Sequence, residues 1–304
     1  MSETTVAAPQ PLSRLQIWLI AMRPRAYPAA IAPVLIGSAL AYADGKFNVL
    51  AALLALVCAT LLQTASNFIN DIYDFRKGAD NDERLGAKKV LTTGLLDEQT
   101  LIRATILVMV TAFVIGLGLV WIGGWVILAI GLLSMLFAFA YTGGPFPLAY
   151  NALGDVTVIA FFGVAATSGT YYAHALEFSQ ASLMLGMATG FLASNILGVN
   201  NLRDIPTDAK AGKRTLAIAL GETGARWLYY AQTALAFLMP VLVFLLSYKW
   251  TVLLALLALP LAIKECMNVA VRNGAELNAS LAGTARTLMV FGLLTTIGLV
   301  LAKP

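Results

Sequence analysis

The chain has 304 residues, of which 59% are apolar and only 12% charged, and its 20 basic and 16 acidic side chains leave a net charge of +4. Soluble chains carry about 25% charged residues, so this composition excludes a water-soluble enzyme, a nucleic-acid-binding protein and a disordered chain. The charge is also clustered: Arg103 is the sole base between residues 101 and 202, whereas ten charged side chains crowd residues 71–89. Long apolar runs separated by short charged stretches define an all-α, polytopic membrane protein.

Taken in chain order, MSETTVAAPQPLSR lacks a short apolar core before a cleavage site and reads as no removable signal peptide. Residues 1–15 are expected to be a flexible cytoplasmic tail on a single domain, 1–304. LQIWLIAM followed by Arg23-Pro24-Arg25 reads as an interfacial lead-in. About 20 apolar residues cross a bilayer, which predicts nine spans near 26–43, 49–70, 102–122, 125–141, 153–173, 181–201, 227–247, 250–267 and 285–302. Gly143-Gly144-Pro145 reads as a helix stop and turn, and Tyr248-Lys249 as a tight hairpin between the seventh and eighth spans. With the N-terminus cytoplasmic, the outer side receives only Lys46, Lys249 and Lys303 of the 20 basic residues, as the excess of Lys and Arg in cytoplasmic loops requires. Cys58 and Cys266 fall inside apolar runs and read as buried small hydrophobes. His174, the only histidine, is expected in a short loop and leaves no partner for Ser/His or Cys/His catalysis.

Two predicted helices end in carboxylate ladders. LLQTASNFINDIYDFRKGAD places Asn67 four residues before Asp71 and Asn70 four before Asp74, with Asp80 slightly beyond; SNILGVNNLRDIPTDAKAGKRT steps through Asn200, Asp204 and Asp208. Residues four apart share a helix face. The interval between Asn67/Asp71 and Asn200/Asp204 is the same, 133 residues, which points to a duplicated unit of about four helices. Stacked carboxylates near a bilayer need compensation. One form is pairing with loop lysines at ordinary helix ends. The other is Mg²⁺, which is held by one or two carboxylates plus substrate phosphates, with Lys77, Lys88, Lys89, Arg203, Lys213 and Arg214 meeting phosphate oxygens. A diphosphate site at the mouth of an apolar bundle suits a prenyl diphosphate, whose ionisation needs no basic nucleophile from the protein.

These residues resemble the UbiA superfamily of intramembrane aromatic prenyltransferases, whose members have nine helices and two cytoplasmic aspartate-rich motifs. Asn67-x-x-x-Asp71 with Asn70-Asp71-x-x-Asp74 is similar to the first motif, Asp204-x-x-x-Asp208 to the second, and Lys213-Arg214-Thr215 to the basic-threonine element after it. Arg23-Pro24-Arg25-Ala26-Tyr27-Pro28-Ala29-Ala30, Gly78-Ala79-Asp80, and Tyr141-Thr142-Gly143-Gly144-Pro145-Phe146-Pro147-Leu148 followed by Leu153-Gly154-Asp155 look like the menaquinone branch. The chain departs from that branch at Ala26-Tyr27, where Thr-Leu is common, at Asp155, where Glu is common, and at Lys88-Lys89, where an arginine is common.

The resemblance implies transfer of a polyprenyl or phytyl chain from its diphosphate to 1,4-dihydroxy-2-naphthoate, with loss of diphosphate and CO₂, by a multi-pass membrane enzyme whose site faces the cytoplasm. It implies that Asp71, Asp74, Asp204 and Asp208 hold Mg²⁺ with Asn67 and Asn200 in support. Arg23 or Arg25 and Lys213 or Arg214 would meet phosphate, and Tyr141 and Thr142 would line the reacting centre. Another acceptor of the same class (4-hydroxybenzoate, homogentisate or haem) and a cation-coupled transporter are the alternatives. Asp155 and Asn151 read equally as a cap of the fifth helix or a pair within the bundle.

Overall fold

The structure is a computed structural model and describes residues 12–79, 85–86, 89–246 and 248–302. Lys88, Asp80 and Lys303, named above, lie outside these residues. Among the described residues all regular elements are helical: α1 Arg14–Met22, α2 Pro28–Ala43, α3 Val49–Arg76, α4 Glu98–Ala140, α5 Gly154–Ala175, α6 Gln180–Lys210, α7 Leu216–Leu245, α8 Trp250–Val271 and α9 Leu277–Leu301. Seven helices are long and apolar enough to cross a bilayer, and the bent pair Arg14–Ala26 and Pro28–Ala43, meeting at 54°, adds an eighth candidate.

Helix starts follow local chemistry. Ser13, Asn48, Asp97, Ser179 and Thr215 each accept a hydrogen bond from the backbone N–H three residues on, satisfying a donor that has no partner inside the helix. Pro24 and Pro28 stand at first helical positions, where a missing N–H costs nothing.

α4 has 43 residues, about 65 Å if straight, twice the roughly 30 Å hydrocarbon core. It is not straight. Gly124 adopts φ 64°, ψ −153°, a conformation open essentially to glycine alone, and divides the helix into the two arms predicted as 102–122 and 125–141. Phe113 and Met135 line one cavity, although 22 residues of straight helix would separate them by about 33 Å. The arms therefore double back.

Association of helices in lipid relies on close packing. Ile36 and Leu40 of α2, Leu185 and Leu192 of α6, Phe237 of α7 and Phe291 of α9 are buried in one shared core. A Cβ at Gly163 would stand 2.4 Å from both the Gly186 carbonyl oxygen and the Gly190 Cα, so α5 and α6 meet backbone to backbone. The same stretch of α5, Ile159–Ala165, widens into a π-turn.

At the end of the bundle remote from the aspartates, Asp44 accepts hydrogen bonds from Tyr171 (2.7 Å) and Tyr248 (3.1 Å). His174 lies in the last turn of α5 rather than in a loop; its Nδ1 accepts from the Asn48 N–H at 3.0 Å and its Nε2 lies 3.1 Å from Ser38 Oγ. Cys58 and Cys266 are free and half-buried.

Candidate active site

Both ladders are helical throughout, because α3 continues to Arg76 and α6 to Lys210, past the apolar limits predicted at 70 and 201. The first ladder begins one rung earlier than expected. Gln63 donates to Asn67 Oδ1 (3.1 Å), and Asn67 Nδ2 donates to the Met22 carbonyl (2.8 Å), tying α3 to the end of α1. Gln63 repeats the four-residue step of Asn67 and Asp71, so the spacing alone could have found it.

The carboxylates are buried, and each meets a base. Asp71 pairs with Arg23 and lies 3.4 Å from Lys89 Nζ. Asp74 accepts from Lys89 at 2.8 Å and from the Tyr150 hydroxyl at 2.8 Å. Asp204 receives both Nε (2.7 Å) and Nη2 (2.5 Å) of the adjacent Arg203, which also donates to Asn200 Oδ1 and Asn278 Oδ1, both at 2.7 Å. Asp208 meets Lys213 at 3.0 Å. Lys213 also stands 3.8 Å from Asp74, so one lysine joins the two ladders across the bundle.

The segment after α4 closes the site. Lys77 donates to the Thr142 carbonyl (3.2 Å) and lies 4.1 Å from the Tyr150 ring centroid, with Lys213 Nζ 4.9 Å from the same ring. Desolvation, reinforced by the Lys213 charge and opposed by Asp74, lowers the Lys77 pKa below that of an ordinary lysine. The Arg214 N–H donates to the Tyr150 carbonyl at 2.9 Å. Arg214 itself is exposed, and so is Arg25, which makes no ion pair among the described residues. Asn151 caps nothing; it donates to the Pro147 carbonyl (2.8 Å), while Asp155 accepts from Ser194 (3.0 Å) inside the bundle.

Tyr141 joins the charged cluster to an apolar cavity of about 210 Å³. Gln63, which hydrogen-bonds Asn67 of the first ladder, lines the same cavity. Below Tyr141 the cavity runs between α2, α3, both arms of α4 and α5, with Gln63 and Ser66 near the aspartates and Ala55, Cys58, Leu119 and Ile127 deeper. Phe161 and Phe162 of the π-turn form part of the wall.

The donor set around the ladders is oxygen only, which suits a hard cation. Among the described residues no group of three Asp, Glu, His or Cys side chains is close enough to hold a metal alone. Mg²⁺ takes one or two carboxylates and completes its shell with phosphate and water. Among the described residues the buried oxygens Asn70 Oδ1 and Thr142 Oγ1 have no hydrogen-bond partner and are further available donors. None of Tyr150, Asn278 and the ladder's earlier rung Gln63 is among the site residues expected from the sequence; Tyr150 comes from a short turn and Asn278 from the start of α9, and neither shares a helical period with the ladders.

Comparison with known proteins agrees with this architecture. Residues 30–294 match the UbiA prenyltransferase family, and the chain belongs to that family. It is 38% identical to a 1,4-dihydroxy-2-naphthoate octaprenyltransferase of Escherichia coli over 86% of this chain and 87% of the relative. A relative of the same name from Haemophilus influenzae is 34% identical over 95% of this chain and 97% of its own length. The fold is also that of a UbiA homolog from Archaeoglobus fulgidus bound to GPP and Mg²⁺, with a TM-score of 0.62 at 16% identity, covering 92% of this chain and all of that one.

Proposed function

We propose that the chain is a Mg²⁺-dependent membrane prenyltransferase that joins a polyprenyl chain to 1,4-dihydroxy-2-naphthoate in menaquinone biosynthesis. The observation that carries the reading is the junction at Gln63 and Tyr141, where a paired carboxylate–lysine cluster opens into an apolar cavity. A diphosphate with a long apolar tail matches both halves. The acceptor follows from the naphthoate relatives, and the metal from the chemistry of the donors and the Mg²⁺-bound neighbour. The reading takes the whole chain as one domain with nine crossings, the arms of α4 counting separately, and the distribution of basic residues supports a cytoplasmic N-terminus and site.

Mg²⁺, when bound, neutralises the diphosphate and stabilises it as a leaving group. Asp71 and Asp74 with Asn67 on one ladder, and Asp204 and Asp208 with Asn200 on the other, would hold the ions, while Arg23, Lys89 and Lys213 would turn from carboxylates, and Lys77 from the Thr142 carbonyl, towards phosphate oxygens. Arg25 and Arg214, both exposed, add positive charge at the rim. The allylic C–O bond breaks with its electron pair going to diphosphate. Tyr141, with Thr142 beside it, faces the resulting allylic cation and stabilises it through the ring, and the apolar cavity keeps water away. Carbon 2 of the naphthoate forms the new bond, and the carboxylate leaves as CO₂, returning its electron pair to the ring. No net proton is gained or lost.

The test is product mass after incubation with geranylgeranyl diphosphate, Mg²⁺ and either 1,4-dihydroxy-2-naphthoate or 4-hydroxybenzoate. A prenylated naphthoquinol lacking the carboxylate, abolished by a chelator and restored by Mg²⁺, is expected. Product from 4-hydroxybenzoate alone would overturn the acceptor assignment.

A further inference from the structure

Tyr150 lies in the short 3₁₀ turn Leu148–Tyr150, outside both aspartate motifs, yet it touches Asp74 of the first and the basic segment that follows the second. Its hydroxyl donates to Asp74 Oδ1 (2.8 Å) on α3. Its ring carries Lys77, which follows α3, at 4.1 Å and Lys213, which follows α6, at 4.9 Å. Its carbonyl accepts the Arg214 N–H at 2.9 Å, and Asn151 and Arg214 form an isolated parallel bridge beside it. Two ammonium groups on one ring would repel one another in the open. The negative ring face and the Asp74 charge hold them together.

We propose that Tyr150 is the positioning residue that assembles the diphosphate site from the two halves of the bundle. It acts in two separable ways. The hydroxyl fixes the Asp74 carboxylate, the kind of outer contact whose loss typically weakens metal binding about 10-fold to 100-fold. The ring brings Lys77 and Lys213, from the two halves of the chain, to one side chain within the proposed diphosphate site. The inference rests on the reading of the cluster as a metal–diphosphate site and adds the residue that organises it.

Tyr150→Phe removes only the hydroxyl, and Tyr150→Leu removes the ring as well. Full-length wild type and both variants are titrated with inorganic pyrophosphate at fixed Mg²⁺, and with Mg²⁺ at fixed pyrophosphate, following the shift in melting temperature. Steady-state kinetics with geranylgeranyl diphosphate and 1,4-dihydroxy-2-naphthoate run alongside. Tyr150→Phe is expected to raise the Mg²⁺ midpoint roughly 10-fold and to recover turnover at high Mg²⁺. Tyr150→Leu is expected to raise the pyrophosphate midpoint and the KM for prenyl diphosphate as well, and not to recover. The KM for the naphthoate stays unchanged in both. Wild-type midpoints in Tyr150→Leu, a rise confined to the naphthoate KM, or turnover lost from both variants with unchanged midpoints would overturn the role of Tyr150. A wild type that shows no Mg²⁺-dependent shift with pyrophosphate would instead overturn the underlying metal–diphosphate reading.

Discussion

Each ladder carboxylate is matched by a base: Asp71 by Arg23 and Lys89, Asp74 by Lys89 and Lys213, Asp204 by Arg203, and Asp208 by Lys213. Lys89 matters most, because it is buried between two acids. Removing one partner of a buried pair leaves an uncompensated charge and costs on the order of 3 kcal/mol. Lys89→Met should therefore lower the melting temperature of the purified protein clearly and reduce turnover; an unchanged melting curve would mean that Asp71 and Asp74 need no neutralisation from it. At this scale the sequence disclosed the rungs of the ladders, because a four-residue step on a helix is a geometric statement. It did not disclose Tyr150 or Asn278. Asn278 reaches Arg203 from 75 residues away, an encounter set by the packing of α9 against α6 rather than by any local pattern.

Helices were legible wherever apolar runs were continuous. Their polar extensions were not. α7 starts at Leu216 rather than 227, because Glu222 and Arg226 dilute the apolar window although they pair along the helix at 3.7 Å. α9 starts at Leu277 rather than 285, where Ser280 and Thr284 are fully buried and the Thr284 hydroxyl bonds back to the Ser280 carbonyl at 2.8 Å. The break at 124 falls at the boundary the sequence predicts between two spans, and its chemistry lies in the positive φ of glycine. A Cβ there would meet nothing within 4 Å, so Gly124→Ala isolates backbone strain. It should cost about 1–3 kcal/mol in thermal unfolding while leaving KM values intact. Unchanged stability would show that the turn has another accessible conformation.

For the whole molecule, the apolar cavity is the feature that composition could not reveal, since a cavity wall and a lipid-facing helix have the same residue types. Its depth is open to a direct probe. Gly131 lines the cavity, and a Cβ there meets no neighbour within 4 Å, so the ring in Gly131→Phe should project into the space ten residues, about 15 Å of helix, below Tyr141. Turnover should fall more for long prenyl diphosphates than for geranyl diphosphate, measured as the ratio of kcat/KM values. An unaltered ratio would place the tail elsewhere.

The proposal that two aspartate ladders, 133 residues apart in the chain, serve one substrate is tested most directly by prenyl transfer in Asp71→Ala and in Asp204→Ala, each purified from membranes and shown to be folded. Loss of turnover by at least about 100-fold in both, the scale of removing a key electrostatic stabiliser, is the predicted result. Near-normal turnover in either variant would contradict the shared site.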